Sequence, residues 1–530
     1  MSGAIVMMRL DEAGVGRLAE EIALLVARGD LITLSGDLGA GKTTLARALI
    51  GALLGGAGEE IPSPTFTLVQ TYQTPRMTVA HLDLYRLADP AELDELGLEP
   101  ALDSGIALVE WPERAGESLP EERLEIHLEE ITDADGGERS VTLRASPRWQ
   151  SRLERLVRLH DLLEAAGWTG RDDRLAFLQG DASVRRYARL TRPDGTGAIV
   201  MDWPAQPDGP AIRNGLPYSR IAHLAEGVRP FVAIAEALAA GGIATPAILA
   251  HDLACGLLVL EDLGANSFGA ALAAGADQRE LWRAAVDVLI ALRTHRPPDT
   301  MPVPDGTHHR LPPYDAAALA IETELVVDWL WPALHGVPAD ADTRQSFASL
   351  WAPHLDALAG MAEGWVLRDF HSPNLIWRPH LSGLARVGVI DFQDALLGPA
   401  AYDLVSLLQD ARLDVPADLE RELLDIYMRC AAERDRLFDR QRFQLAYAAL
   451  GAQRNTKILG IFARLAVRDG KPGYLAHLPR IWGYLERNLA HPRLAALAAF
   501  YERAFPTPMR CQIPCITGAP PALQSARGAT

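Results

Sequence analysis

Lysine is nearly missing from this chain. Lys42, Lys457 and Lys471 are the three in 530 residues, whereas arginine is abundant. Arginine supplies positive charge elsewhere, so a lysine inside a glycine-rich loop marks a place where chemistry wants a compact ammonium. Positive charge is also short overall: 51 Lys and Arg face 69 Asp and Glu, a formal net charge of −18. That balance argues against extensive direct binding of nucleic acid, which needs clustered cations. Action on RNA through a protein partner stays open. The four cysteines, Cys255, Cys430, Cys511 and Cys515, are too scattered for a disulfide framework and match no zinc spacing. No apolar run is long enough to span a bilayer. The N-terminus has no basic start ahead of an apolar stretch. The expected location is therefore the cytoplasm, with no membrane partner.

What is present is ordinary globular material, 48% hydrophobic and 23% charged. At this length the chain needs about two to four domains. Residues 31–35 form a short apolar run that ends in a glycine loop, and 42–54 has helical spacing: strand, loop, helix. Further strand-like runs at 77–84, 106–110, 124–128 and 140–143 complete a small α/β domain over 1–146, with a hairpin turn at 133–137. An amphipathic helix over 149–166 lies in a linker, 147–173. A small lobe with strands and one helix (230–240) follows over 174–260, then a mostly helical lobe over 261–505. The tail, 506–530, is rich in Pro, Gly, Ala and Ser and is expected to be mobile.

Two signatures for handling phosphate occur, on different plans. The first is Gly36-Asp37-Leu38-Gly39-Ala40-Gly41-Lys42-Thr43-Thr44, a complete P-loop. Its glycines allow successive N–H groups to wrap the phosphates of ATP, Lys42 adds charge, and the following helix directs its positive end at the same anion. Thr43 offers the hydroxyl that holds Mg²⁺ in such loops. A second metal group is needed opposite, and Asp83 and Glu110, each at the end of an apolar strand-like run, are the candidates.

Four blocks in order carry a resemblance: 36–44, Ser63-Pro64-Thr65-Phe66-Thr67-Leu68-Val69, His81-Leu82-Asp83-Leu84-Tyr85-Arg86-Leu87 and Val109-Glu110-Trp111-Pro112-Glu113-Arg114. They resemble the TsaE (YjeE) family, small P-loop ATPases of bacterial tRNA threonylcarbamoyladenosine synthesis. The resemblance implies Thr43 and Glu110 as Mg²⁺ ligands and Asp83 as a catalytic acid, with 63–67 as a nucleotide-sensing switch. It also implies partners: the threonylcarbamoyltransferase and its dimerisation subunit (TsaD/TsaB type), reset by ATP hydrolysis.

The second signature is Arg368-Asp369-Phe370-His371-Ser372-Pro373-Asn374, followed by Ile390-Asp391-Phe392. In kinase-like transfer an aspartate accepts the substrate hydroxyl's proton, and an asparagine five positions on and a second aspartate hold Mg²⁺. Asp369, Asn374 and Asp391 match in type, order and spacing. Asp394 is placed to assist, His371 to steady the loop, and Asp403 to act as a cap or arginine partner. Three departures stand out. The strand over 198–201 lacks the usual phosphate-binding lysine, leaving Arg185 or Arg186 to reach the nucleotide; Leu367 replaces a histidine; and Gln393 replaces a glycine.

This half resembles the aminoglycoside phosphotransferase and choline kinase superfamily. Gly180-Asp181-Ala182-Ser183-Val184-Arg185-Arg186-Tyr187, Met201-Asp202-Trp203-Pro204 and Ile390-Asp391-Phe392-Gln393-Asp394-Ala395 most resemble its AmgK branch. That resemblance implies phosphorylation of the anomeric hydroxyl of N-acetylmuramate or N-acetylglucosamine in cell-wall recycling. An aminoglycoside, choline or another small alcohol is the alternative acceptor, and a pseudokinase module the alternative role. Arginines near Asp369 would suit the lactyl carboxylate of N-acetylmuramate, whereas an acidic cleft would suit a cation. The expected architecture is an α/β P-loop NTPase domain followed by a two-lobed, protein-kinase-like α+β domain.

Overall fold

The computed structural model describes residues 5–55, 61–64, 67–131, 137–170, 172–178, 185–361 and 364–510. Thr65 and Phe66 of the expected switch, 133–136 of the expected turn, Gly180-Asp181-Ala182-Ser183-Val184 and 511–530 of the tail lie outside these. The chain forms two compact units, 1–205 with 247–262 and 206–246 with 263–530.

The first unit holds two sheets. The larger comprises β1 (Ile5–Leu10), β2 (Leu31–Ser35), β3 (Val69–Gln73), β4 (Thr78–Asp83), β5 (Gly105–Glu110), β6 (Arg123–Glu130) and β7 (Arg139–Ala145). Its order is β1-β7-β6-β2-β5-β4-β3. The inner strands β6, β2, β5 and β4 are parallel. β5 is buried throughout, which is why Gly105-Ile106-Ala107-Leu108-Val109 reads as a continuous apolar run. Helices α1 (Glu12–Leu25), capped by Asp11, and α2 (Lys42–Leu53) pack Leu18, Ile22, Leu45 and Leu49 onto Leu108 and Ile126. The edge strands β1 and β3 are only half-buried, and β3, Val69-Gln70-Thr71-Tyr72-Gln73, shows no apolar run in sequence.

The helix expected within a linker is α3 (Gln150–Ala165), and it belongs to two cores at once. Leu153 and Leu156 join the P-loop core. Leu159, Leu162 and Leu163 join a second core with Leu24 of α1 and with Leu175, Ala188, Val200 and Val259. These last four come from the smaller sheet: β8 (Arg174–Leu178), β9 (Arg186–Thr191), β10 (Gly197–Asp202), β11 (Ile248–Asp252) and β12 (Leu257–Glu261). Its order is β11-β12-β10-β9-β8, antiparallel throughout. The P-loop fold and this sheet thus share apolar burial through α1 and α3.

The second unit is mainly helical. It includes 206–246, which the sequence placed in the small lobe. The reason is local: in α4 (Val228–Ala240) Phe231 stacks on Phe392 at 4.8 Å, and Ala244 accepts the N–H of Val389 at 2.8 Å. Four short strands, β13 (Gly364–Val366), β14 (Leu375–Trp377), β15 (Val387–Val389) and β16 (Leu396–Gly398), pair as β13–β16 and β14–β15. Helices α5 (Ala401–Leu408) and α6 (Arg440–Val467) pack against each other. Thr507–Arg510, expected as the start of a mobile tail, is helical, with Arg510 bridged to Glu486 and Glu502.

Candidate active sites

In the first unit the P-loop joins β2 to α2. Gly36 has φ +133°, and a Cβ there would lie 2.1 Å from the Leu128 carbonyl oxygen, so the turn requires glycine. Gly41 caps α2 at φ 105° and delivers Lys42 to its first turn. The Lys42 ammonium donates to the carbonyls of Gly36 (2.7 Å) and Asp37 (2.8 Å), which closes the loop on itself. It also stands 3.7 Å from the centre of the Trp111 ring. Trp111 holds a left-handed φ of 60° immediately after β5, a strained setting for an aromatic residue. Burial lowers the pKa of the Lys42 ammonium, opposed by the acids Glu110, Glu113, Asp83 and Asp37.

Opposite the loop, the Thr43 hydroxyl donates to Glu110 Oε2 at 2.9 Å. Parallel pairing of β4 and β5 sets Asp83 directly beside Glu110. The structure therefore brings Lys42, Thr43, Asp83 and Glu110 to one place. Asp83 Oδ1 accepts the N–H of Tyr85 at 3.1 Å, which fixes its carboxylate at the strand end. Sequence reasoning overlooked His81, which is fully buried with Nε2 2.9 Å from Glu110 Oε1. The signal was available: two residues before Asp83 on a strand, His81 shares its face.

In the second unit the β14–β15 hairpin does the assembling. Asn374 directly precedes β14, Asp391 follows β15, and the Ile390 N–H donates to the Asn374 carbonyl at 3.0 Å. The Asn374 side-chain amide stands 3.4 Å from Asp391 Oδ2 and donates to the Asp369 carbonyl at 2.9 Å. Asp391 adopts φ 62°, a left-handed conformation rare for a side-chain-bearing residue, at the point where its carboxylate turns toward Asn374. Gln393, in the place of a glycine, donates to Asp391 at 3.1 Å and to Asp394 at 3.3 Å. Asp394 also accepts the Ala225 N–H at 2.6 Å, so it is held by backbone.

Asp369 itself is held by charge. Burial pushes its pKa up, but His371, Lys457, Arg368 and Arg454 outweigh that and lower it below the usual value. His371 is pushed down by burial, which favours the neutral ring. Asp403 accepts the N–H groups of Leu367 (2.6 Å) and Arg368 (2.9 Å), a structural cap that holds Arg368 at φ 74° just before Asp369. Burial raises the Asp403 pKa to about 7 despite those two bonds. The Arg368 guanidinium pairs with buried Glu322, which also takes Lys457 at 2.8 Å, the Tyr314 hydroxyl, and Gln453 at 2.9 Å. Burial raises the Glu322 pKa, yet Lys457 and Arg368 dominate and hold it at about 2.

The two arginines expected at the nucleotide lie in the first unit and are differently disposed. Arg186 pairs with Asp202 of β10 at 2.5 Å and donates to the Leu25 carbonyl at 3.3 Å, so its guanidinium is committed to the protein interior. Arg185 stacks its guanidinium over Trp203 at 5.0 Å. β10 presents Ala198, Ile199, Val200 and Met201 with no lysine.

Comparison with known proteins follows the same division. Residues 10–141 match the family of the threonylcarbamoyl adenosine biosynthesis protein TsaE, and residues 174–445 match the phosphotransferase enzyme family. An N-acetylmuramate/N-acetylglucosamine kinase of Caulobacter vibrioides is 41% identical over 348 residues, 64% of this chain and 94% of that protein. A kinase of the same description from Pseudomonas aeruginosa is 34% identical, covering 64% of this chain and 91% of that protein. The tRNA threonylcarbamoyladenosine biosynthesis protein TsaE of Rickettsia bellii is 43% identical over 115 residues, 22% of this chain and 79% of that protein. Among the described residues no helix is long and apolar enough to cross a membrane. The chain belongs to both families: it is a fusion of a TsaE-family P-loop ATPase with a phosphotransferase-family kinase.

Proposed function

We propose that the N-terminal domain is the ATPase of the complex that makes N6-threonylcarbamoyladenosine in tRNA, acting on TsaD/TsaB-type subunits. We further propose that the C-terminal half transfers the γ-phosphate of ATP to the anomeric hydroxyl of N-acetylmuramate or N-acetylglucosamine, salvaging cell-wall sugars in the cytoplasm. The observation that carries the second reading is the convergence of Asp369, Asn374 and Asp391 at the base of one hairpin. Asp369 accepts the proton of the acceptor hydroxyl as its oxygen bonds to the γ-phosphorus and ADP departs. Its lowered pKa keeps it ionised at neutral pH and able to do so.

Both sites suit Mg²⁺, which would supply charge neutralisation on the phosphates. In the first, Thr43 and Glu110 present two hard oxygens 2.9 Å apart, with His81 behind the carboxylate. In the second, Asn374 and Asp391 present an amide and a carboxylate. Lys42 and the loop residues Gly36, Asp37, Leu38, Gly39, Ala40, Gly41 and Thr44 bind nucleotide in the first site, and Asp83 is its catalytic acid. Arg185 is the nucleotide-contact candidate of the small sheet, in place of the missing lysine. The relative of Caulobacter vibrioides, 41% identical and described as an N-acetylmuramate/N-acetylglucosamine kinase, favours the N-acetylated sugars over choline or an aminoglycoside.

The test is ATP-dependent phosphorylation by the Lys42→Ala variant, offered free sugars, aminoglycosides and choline in turn. Transfer to the two N-acetylated sugars alone is expected. Transfer to choline or an aminoglycoside would replace the sugar reading, and transfer to nothing would make the C-terminal half a pseudokinase.

A further inference from the structure

The P-loop is gripped by a residue 99 positions away in sequence. Arg139, half-buried at the start of β7, donates from Nε to the Ala40 carbonyl at 3.0 Å. Its Nη1 donates to the Gly137 carbonyl at 3.0 Å. The backbone beneath it is fixed on both sides, since Arg139 pairs with Leu10 of β1 and with Glu130 of β6. One planar guanidinium thus spans two carbonyls from a rigid base, which a lysine ammonium cannot reproduce.

The Ala40 carbonyl is one half of the Ala40–Gly41 peptide, which is trans. A trans peptide is planar, and its C=O and N–H point in opposite directions. Drawing the carbonyl toward β7 therefore turns the Gly41 N–H to the other, inner side of the loop. That is where successive N–H groups of such a loop meet phosphate oxygens. Gly41 is suited to this. Its φ of 105° is one that side-chain-bearing residues rarely adopt, and a Cβ there would lie 3.2 Å from Arg139 Nε. The same peptide opens α2, so the bond also helps set where that helix directs its positive end.

We propose that Arg139 is a positioning residue of the P-loop site, holding the Ala40–Gly41 peptide so that the Gly41 N–H faces the phosphates of the bound nucleotide. The inference deepens the ATPase reading and rests on it. Arg139 acts through the peptide and touches no phosphate itself. Without it the peptide can rotate, and a phosphate oxygen loses a preset donor. That contact is made with ATP and ADP alike, so its loss weakens nucleotide binding more than it slows turnover.

The experiment follows sugar-free ATP hydrolysis by the full chain in wild type, Arg139→Gln and Arg139→Lys. Lys42→Ala, run in parallel, gives the background that the P-loop does not produce, and thermal melts report whether each variant is folded. In Arg139→Gln the KM for ATP and the inhibition constant of ADP are each expected to rise at least roughly ten-fold, with kcat within about two-fold of wild type. Arg139→Lys keeps the charge but loses the fork, so both constants should rise there too, by less. An unchanged KM in Arg139→Gln overturns the inference, and so does a loss confined to kcat, as expected of a merely structural arginine. A wild-type KM in Arg139→Lys overturns it as well, since charge alone would then suffice. Should Arg139→Gln fail to fold, Arg139→Lys decides by the same criteria. Wild type that hydrolyses no more ATP than Lys42→Ala would instead sink the ATPase reading, and the inference with it.

Discussion

The buried Glu20 carboxylate of α1 accepts the backbone N–H of Leu175 at 2.7 Å, so a helix of the P-loop fold holds the first strand of the small sheet. Around that bond Arg76 lies over Phe177 at 5.0 Å while donating to the Ala23 and Leu24 carbonyls, and Glu21 meets His160 at 3.1 Å. The two parts are joined by more than a peptide linker.

Glu20 gives this junction a pH dependence. Burial raises its pKa to about 7, against 4.5 for an ordinary glutamate, outweighing the Leu175 N–H bond. Between those values the folded chain holds a proton that the unfolded chain releases, so stability falls as pH rises through the window and is level above it. Glu20→Gln keeps the acceptor and removes the titration. Thermal melts should show the variant gaining up to about 3 kcal/mol over wild type at pH 8 and almost nothing at pH 4.5. Equal gains at both values would contradict the assignment.

His81 should act through Glu110. His81→Ala removes the group that orients the carboxylate beside Thr43 without touching nucleotide. The Mg²⁺ concentration needed for half-maximal ATP hydrolysis is expected to rise ~10–100-fold. Sugar phosphorylation measured in parallel should not change.

Asp403 should matter to the kinase without taking part in the chemistry. Asp403→Ala leaves the buried N–H groups of Leu367 and Arg368 without an acceptor, costing ~1–3 kcal/mol each. Melting temperature and sugar-kinase kcat should both fall, while P-loop ATPase activity persists. Asp403→Asn, which keeps one acceptor oxygen, should fall between.

How much of this was legible in the sequence depends on whether a residue's role is local. The P-loop and the Asp369, Asn374 and Asp391 set were readable because a turn or a hairpin imposes fixed spacings. The inner strands were readable because β5 is buried on both faces and β2 nearly so. The edge strand β3 was not, since Val69-Gln70-Thr71-Tyr72-Gln73 is half-buried and lacks an apolar run. Long-range partnerships were invisible too: Glu322 meets Arg368 and Lys457 only after folding. Arg186 looked like a phosphate ligand beside a glycine turn, but its partner Asp202 lies across the β9–β10 pair. The helix α3 read as a connector because its polar face is plain in sequence, whereas the division of its leucines between two cores is not.

The central claim is that one chain uses ATP in two independent ways. The most direct measurement takes Lys42→Ala and Asp369→Asn and follows both ATP hydrolysis without sugar and phosphorylation of N-acetylmuramate. Lys42→Ala should lose hydrolysis and keep sugar phosphorylation, and Asp369→Asn should do the reverse. Loss of both activities in either folded variant, or sugar phosphorylation that survives in Asp369→Asn, would contradict it.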